Sequence, residues 1–333
     1  IMVSDVFNED KGKLINAVLN SKTLAIIGLE KNTGKTETLN FVVENIKSKR
    51  KIGLTSIGTD GEEKDIVFGT LKPSVYVDEN FLYTTTEVFF KQKKLLSEII
   101  HVSKQSTPTG RLIIARALEK GKIILSGPQS THWMQEIVKF LSNYTDIVVI
   151  DGALSRFNQG NPSIADSIVL ATGAAYSIEK REIVKHTRYI YTLCNLPQVD
   201  EESRKVLEKS QNICIKLNNE WKETELTSVL NIQKIKETIG DNFEAIYIPG
   251  ALTDNAVKLI KDKEIIVRDF TKIFVTYDSF VKYKPNIKVL AKTNIIGITV
   301  NPVSPNGYIL DSETLINELK EYISDIPIID VRK

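Results

Sequence analysis

The segment that most constrains the fold of this chain is AIIGLEKNTGKTETLNF, residues 25–41. It predicts an apolar strand, a loop bounded by glycines, and an amphipathic helix that begins at the Gly34-Lys35-Thr36 triplet. Such a loop can bind a polyphosphate, because consecutive backbone N–H groups and the positive end of the following helix face the anion. Glycine is needed where the chain approaches a phosphate too closely for a side chain. A Gly-Lys-Thr triplet can fall at a turn by chance, but the flanking strand and helix favour a nucleotide site.

The loop and the first helical turn supply the expected nucleotide-binding residues. Lys35 is expected to reach the β- and γ-phosphate oxygens and to share the charge that develops there during hydrolysis, while the Thr36 hydroxyl binds Mg²⁺. Five residues separate Gly28 from Gly34, one more than in the common pattern. Lys31 adds a cation inside the loop. The expected set is Gly28, Lys31, Asn32, Thr33, Gly34, Lys35, Thr36 and Glu37.

Two acidic residues, Asp151 and Asp60, are expected to hold Mg²⁺ or its waters together with Thr36. Asp151 directly follows the apolar run DIVVI. A turn that ends the strand is the alternative, since Asp-Gly pairs favour turns. Asp60 follows the second predicted strand and is also the best candidate for orienting the attacking water. Three further acidic residues lie within 62–65, so a solvated acidic loop is an equal alternative.

The absence of a guanine-recognition motif indicates which base the site binds. The Asn-Lys-x-Asp quartet that recognises guanine does not occur in the sequence, which favours ATP over GTP. Asn195 follows the predicted strand YIYTLC and is expected to contact the base. An asparagine that simply ends the element explains this position equally well.

Short β-rich runs alternate with helical patterns, which predicts an α/β fold. We expect a P-loop NTPase-like, mainly parallel sheet flanked by helices over residues 1–200, with a strand-rich insertion at about 70–127. A helix from about Thr131 to Ser142, with Ser130 as its N-cap, is expected to follow the insertion. The helix after the loop is expected to face the sheet with an apolar stripe of Leu39, Val42, Val43 and Ile46. Residues 201–333 are expected to form a smaller C-terminal α/β region that is a candidate for binding a partner.

Composition excludes several classes of function. The chain has 44 basic and 42 acidic residues, a net charge of +2, so nucleic acid is not an expected partner. No apolar run approaches the roughly 18 residues that span a bilayer, and no membrane association is expected. The start of the sequence lacks a basic-then-apolar targeting pattern, which favours a cytoplasmic protein. Two cysteines indicate neither a disulfide framework nor a metal cluster.

Several segments together resemble one family. They are LAIIGLEKNTGKTETLN, GLTSIGTDGE, TPTGRLIIARAL, ILSGP, DIVVIDGALSR and SIVLATGAA. These phrases are similar to the nucleotide-binding subunit of lysine 5,6-aminomutase reactivase, over roughly residues 20–200, and NPVSPNGYILD near residue 301 also resembles that family. The long loop by itself resembles that of dethiobiotin synthetase.

The resemblance implies a reactivating chaperone of bacterial lysine fermentation. Such a protein uses ATP and Mg²⁺ to open an adenosylcobalamin-dependent aminomutase, so that damaged cobalamin leaves and fresh cofactor enters. It implies two partners, a MutS-like ATPase subunit and lysine 5,6-aminomutase itself. Segment 58–70 is the expected switch, because contacts with a γ-phosphate can order such a loop. The sequence has no Asp-x-His-x-x-Gly motif, so this chain is not expected to ligate cobalt.

Two other functions stay open. A dethiobiotin synthetase-like enzyme would use the same loop as an ATP-dependent ligase or kinase on a small carboxylate or amine. A regulatory subunit would bind nucleotide without hydrolysing it. We expect ATP hydrolysis coupled to reactivation of a protein, with Lys35 and Asp60 as the catalytic residues.

Overall fold

The computed structural model describes residues 3–30, 32–57, 74–153, 163–229 and 232–333. The chain divides into two compact units. The first comprises Ile1–Thr187 and Ile295–Lys333, and the second comprises Arg188–Asn294. Composition predicts a single boundary near residue 200. The chain instead returns to the first unit at Ile295, because its last two strands pair into the sheet of that unit.

One large sheet organises the first unit. The strands of this unit are β1 (Thr23–Gly28), β2 (Ile52–Ser56), β3 (Val75–Val77), β4 (Leu82–Thr86), β5 (Ser97–Thr107), β6 (Gly110–Ala117), β7 (Gly121–Ile123), β8 (Ile147–Ala153), β9 (Ser167–Gly173), β17 (Ile295–Asn301) and β18 (Ile328–Asp330). Nine of the strands in the described ranges form the sheet, in the order β18-β17-β9-β1-β8-β2-β4-β6-β5. β3 and β7 form a separate antiparallel pair.

The large sheet is mixed and mostly parallel. All neighbouring strands from β18 to β4 are parallel. The last two strands, β6 and β5, are antiparallel. The predicted strand-rich segment 70–127 therefore extends one edge of this sheet through β4, β6 and β5, and its remaining strands form the β3–β7 pair.

Helices cover both faces of this sheet. They are α1 (Val3–Leu19), α2 (Lys35–Ile46), α3 (Glu87–Gln92), α4 (Thr131–Ser142) and α10 (Ser312–Lys320), while α5 (Lys180–Cys194) begins in this unit and ends in the second. The buried side of α2 joins α1, β1, β2 and β8 in one core, which confirms the predicted apolar stripe Leu39, Val42, Val43 and Ile46. On the opposite face α4 contacts β2 and β8. Its predicted cap is confirmed, since Ser130 Oγ accepts a hydrogen bond from Trp133 N at 3.3 Å.

The second unit is a smaller α/β structure. Its elements are α6 (Glu201–Leu207), α7 (Ile232–Ile239), α8 (Asp254–Ile260), α9 (Tyr277–Tyr283), β10 (Cys214–Leu217), β11 (Glu220–Glu223), β12 (Ala245–Ile248), β13 (Leu252–Thr253), β14 (Glu264–Val267), β15 (Ile273–Phe274) and β16 (Asn286–Val289). Five strands form a sheet in the order β11-β10-β12-β14-β16, in which β12, β14 and β16 are parallel. β13 and β15 form a short parallel pair.

One predicted element is wrong. The run YIYTLC was expected to be a strand, but it forms the last part of α5. The run continues the helical spacing of the buried residues before it, with Ile183, Thr187, Ile190 and Cys194 all buried, and a period of three to four outweighs the β propensity of tyrosine and isoleucine. No helix in the described ranges is both long and apolar enough to cross a membrane.

Candidate functional site

The loop between β1 and α2 has a backbone conformation that suits an anion. Asn32 and Gly34 both have left-handed backbones, with φ of 61° and 92°. Thr33 between them is buried, and its Oγ1 donates to Glu30 O at 2.8 Å. This bond closes the loop on itself. Left-handed residues in such a turn produce concavities lined by backbone N–H groups, and the first N–H groups of an α-helix have no acceptor within the helix itself.

Gly28 and Lys35 meet across this loop. A Cβ added to Gly28 would lie 2.5 Å from Thr33 Oγ1 and 2.9 Å from Lys35 Cγ and Cδ. The stem of Lys35 therefore folds back over the end of β1, and only glycine leaves room for it. The predicted residues Gly28, Thr33, Gly34 and Lys35 thus form one packed group.

The first turn of α2 is tied to β17. Thr38 is fully buried; its Oγ1 donates to Gly34 O at 2.8 Å and lies 2.7 Å from Thr299 Oγ1. A hydroxyl pair inside a core fixes the relative position of the helix and the strand, because Thr299 Oγ1 would lose this partner if they separated.

Asn301, at the end of β17, is a site residue that the sequence interpretation missed. It is 5% exposed. Its Nδ2 donates to Asn32 O at 3.4 Å, and its Oδ1 accepts from Val303 N at 3.2 Å. A Cβ on Gly34 would lie 2.8 Å from the Cβ of Asn301. The available signal was a polar residue directly after the apolar run IIGITV, but nothing local in the sequence connects it to the loop.

Asp151 lies at the same edge of the sheet. In the parallel pairing it is opposite Ile26 of β1 and Ser56 of β2. Ile147 and Val149 point into the core that contains α2. Side chains alternate along a strand, so Asp151 projects from the face that carries α2. Asp151 is thus on the strand next to β1. It is level with Ile26, two residues before Gly28.

A cavity of about 510 Å³ adjoins the loop. Its wall consists of loop residues 32 and 34, residues 35–37 and 40 of α2, residue 301 at the end of β17, residues 303–305 after it, and Arg332. Arg332 Nη2 lies 3.0 Å from Glu37 Oε1. A second cavity, of about 500 Å³, is lined by the outer side of α2 and by β3, and it shares Glu37, Asn40 and Arg332 with the first.

Tyr176 follows β9, and Glu30 of the β1–α2 loop is close enough to act on it electrostatically. Burial is the main cause that raises the pKa of Tyr176, and the negative charges of Glu182 and Glu30 add to it. Its ring centroid lies 4.8 Å from that of His186. The phenol therefore stays protonated near neutral pH.

Four other predicted features lie outside the described residues or in the second unit. Lys31, Asp60 and the switch segment 58–70 lie outside the described residues. Asn195 belongs to the second unit, and its Nδ2 donates to Tyr191 O at 2.9 Å beyond the end of α5. Its contact with a base stays a prediction.

The LSGPQS turn packs against the end of β2. A Cβ on Gly127 would lie 1.5 Å from Ser56 O, which leaves no room for any residue but glycine. This close contact and the Ser130 cap account for the segment as a structural turn.

The residues present fit a nucleotide with Mg²⁺. Magnesium prefers oxygen ligands and keeps several waters, so it needs few protein groups. The Thr36 hydroxyl in the first turn of α2 and the half-buried Asp151 carboxylate are such oxygens. In the described part of the chain no three or more His, Cys, Asp or Glu side chains form a metal cluster. Gly28 leaves the room that the stem of Lys35 occupies beside the loop.

Comparisons with known proteins give no family. No model of a protein family, no curated protein and no solved structure matches this chain.

Proposed function

We propose that this chain is a P-loop NTPase-like, ATP-binding subunit of a reactivating chaperone for adenosylcobalamin-dependent lysine 5,6-aminomutase. The observation that carries the nucleotide part is the packed group of Gly28, Thr33, Gly34 and Lys35 at the start of α2. The reactivase part is supported by the resemblance of the quoted segments to that family.

The residues of the loop divide the work of holding a triphosphate. Backbone N–H groups of the loop and the first turn of α2 bind the phosphates, and the Lys35 ammonium pairs with the β- and γ-phosphate oxygens. The Thr36 hydroxyl and Asp151 hold Mg²⁺, which when bound neutralises charge on those oxygens. Asp60 is the proposed group that orients the attacking water.

ATP can do mechanical work here only if its bound and released states favour different protein surfaces. The Thr38–Thr299 pair and the contact of Asn301 with Asn32 join the loop to β17. Nucleotide binding at the loop can therefore shift β17 and the segment after it. We propose that this segment changes its contacts with the MutS-like subunit or with the aminomutase.

A second candidate function, the ATP-dependent ligase or kinase, is favoured by the paired cavities. The cavity of about 500 Å³ adjoins the one beside the loop and shares Glu37, Asn40 and Arg332 with it. Two adjoining cavities can hold two substrates, such as ATP and a small carboxylate or amine. This function predicts ATP turnover that is stimulated by a small molecule in the absence of any partner protein.

The test uses the full chain with and without its partner. Aminomutase inactivated with bound hydroxocobalamin is incubated with this chain, the MutS-like subunit, MgATP and fresh adenosylcobalamin. Wild type should restore mutase activity and hydrolyse ATP. Lys35→Ala should lower ATP turnover by about 100-fold, because removing one charge-stabilising donor has effects of that order. Lys49→Ala, exposed just beyond α2, is the control and should behave as wild type.

Each outcome separates the functions. Absence of ATP binding to the wild-type chain contradicts the nucleotide site itself. Binding and turnover without restored mutase activity, with the partner shown to be folded, contradicts the reactivase. Unchanged turnover of the complex with Lys35→Ala favours a regulatory subunit whose partner hydrolyses ATP.

A further inference from the structure

A cavity of about 700 Å³ in the first unit is rimmed by four lysines. Lys93 and Lys94 follow α3, while Lys120 and Lys122 flank the start of β7. Glu119 is the one carboxylate among its described lining residues. In a chain with 44 basic and 42 acidic residues, four cations to one anion around a single cavity is a local concentration of charge.

These lysines are not neutralised within the described part of the chain. None of the four ammonium groups there forms an ion pair with a carboxylate. The Glu119 carboxylate is directed elsewhere, since its Oε1 accepts a hydrogen bond from Leu96 N at 2.8 Å. The rim therefore keeps its positive charge.

Two of the ammonium groups are nevertheless held in place by neighbouring residues. Lys93 Nζ donates to Leu95 O at 2.9 Å and lies 4.3 Å from the ring centroid of Phe90. Lys122 Nζ lies 5.0 Å from the ring centroid of Tyr76. These contacts restrict both side chains without cancelling their charge.

The floor of the cavity is apolar. Phe89, Leu95 and Ile123 line it and are buried. Like charges around one cavity repel one another, and an anion between them relieves that repulsion. Lysine is a common phosphate-binding residue that acts as a point charge. The floor adds a surface for an apolar group.

We propose that this cavity is a second anion site, which binds a small phosphorylated organic molecule with its phosphate at the lysine rim and its apolar part on the floor. The volume lies within the roughly 300–1,000 Å³ of small-molecule sites. This site shares no lining residue with the cavity beside the β1–α2 loop. An acidic segment of a protein is the competing occupant, and the buried floor favours the small molecule.

The experiment isolates this site in the full chain by using the Lys35→Ala background, in which the loop's own phosphate affinity is reduced. Binding of phenyl phosphate and of inorganic phosphate is measured by titration calorimetry at low ionic strength. Phenyl phosphate should bind with saturation and more tightly than inorganic phosphate, because only its ring contacts the floor. Adding Lys94→Gln and Lys120→Gln should weaken phenyl phosphate binding by about fivefold or more.

The controls separate loss of the site from loss of charge or of the fold. Lys94 and Lys120 make no side-chain hydrogen bond within the described ranges, so their replacement should leave the unfolding temperature unchanged. Lys104→Gln with Lys139→Gln removes two exposed lysines elsewhere and should leave affinity unchanged. Phenyl phosphate should also protect Lys94 and Lys120, more than Lys104 and Lys139, from an amine-reactive label read by mass spectrometry.

The proposal is overturned if phenyl phosphate shows no saturable binding, or if the Lys94 and Lys120 variant binds it as tightly as its parent. It is equally overturned if a polyglutamate peptide binds at the lysines while phenyl phosphate does not. Loss of ATP binding at the β1–α2 loop would leave these outcomes unchanged, because all of them are measured in the Lys35→Ala background.

Discussion

Thr38 Oγ1 lies 2.7 Å from Thr299 Oγ1 in the buried space between α2 and β17. The two residues are 261 positions apart in the chain. This pair joins the turn that follows Gly34 to a strand from the far end of the sequence, so the loop's geometry depends on the correct assembly of the whole first unit.

Thr299→Val should loosen this connection. The valine matches threonine in shape but removes the hydroxyl, leaving Thr38 Oγ1 bonded to Gly34 O alone. We expect a loss of about 1 kcal/mol in the free energy of unfolding and weaker ATP binding. Thr86→Val removes the similar Thr86–Thr109 pair and should lower stability without changing ATP affinity. Equal ATP affinity in both variants would contradict a role for the Thr38–Thr299 pair at the loop.

Gly34→Ala should reduce nucleotide binding more than its backbone strain alone predicts. A left-handed backbone costs a non-glycine residue about 1–2 kcal/mol, and the new Cβ would also lie 2.8 Å from Asn301 Cβ. Gly240→Ala is the matched control, because its φ is 76° and no atom lies within 4 Å of its added Cβ. Both variants should lower the unfolding temperature, and only Gly34→Ala should weaken ATP binding. The idea fails if the two variants bind ATP alike.

Arg332 and Glu37 should affect nucleotide affinity in opposite directions. Their side chains are 42% and 40% exposed, and an exposed ion pair contributes only about 0.2–1 kcal/mol. A phosphorylated ligand in the adjoining cavity can therefore compete with Glu37 for the guanidinium. Glu37→Gln should tighten ATP binding a few-fold and Arg332→Gln should weaken it. Glu87→Gln, which breaks the distant Arg111 pair, should have no effect, and shifts of the same sign at both residues would contradict the competition.

Asp151→Asn should raise the Mg²⁺ concentration needed for ATP turnover. The amide keeps the shape of the side chain but loses the charge, and we expect about a tenfold increase in the half-saturating concentration. Asp146 precedes the same strand at its other end, where its Oδ2 accepts from Lys51 N at 2.7 Å. Asp146→Asn should therefore leave the Mg²⁺ dependence unchanged. An unaltered dependence in Asp151→Asn would remove this carboxylate from the metal site.

Asp269 in the second unit should give stability a specific pH dependence. Burial raises the pKa of Asp269, although hydrogen bonds from Thr271 oppose the shift. The folded state then binds this proton more tightly than the unfolded state, whose pKa is about 3.9. The contribution of Asp269 to the free energy of unfolding therefore falls as pH rises above about 4. Asp269→Asn should flatten that decline in denaturation curves measured from about pH 4 to 8.

Asp200 provides the contrast for this experiment. Hydrogen bonds from Ser203 lower the pKa of Asp200, so its contribution to stability is lost as pH falls. Asp200→Asn should change the pH profile in the opposite sense to Asp269→Asn. A profile identical to wild type in Asp269→Asn would contradict the buried, proton-binding carboxyl.

Local features could be predicted because neighbouring residues carry their signals. The apolar stripe of α2 and the cap at Ser130 each depend on residues within a few positions of one another, and both are confirmed. The strand YIYTLC was predicted wrongly for a related reason, since its composition favours a strand while its spacing matches the buried side of α5.

The amino-acid sequence by itself determined the local chemistry of this protein: a strand, a glycine-bounded loop and a helix that starts with Lys35 and Thr36. Only the tertiary structure decided that Thr299, Asn301 and Arg332 lie beside that loop, and that two separate pairs of lysines rim one cavity. The physical reason is that helix stripes, caps and turns depend on short-range geometry. The order of strands in a sheet instead follows from the burial of apolar surface by the whole unit, which no short segment encodes.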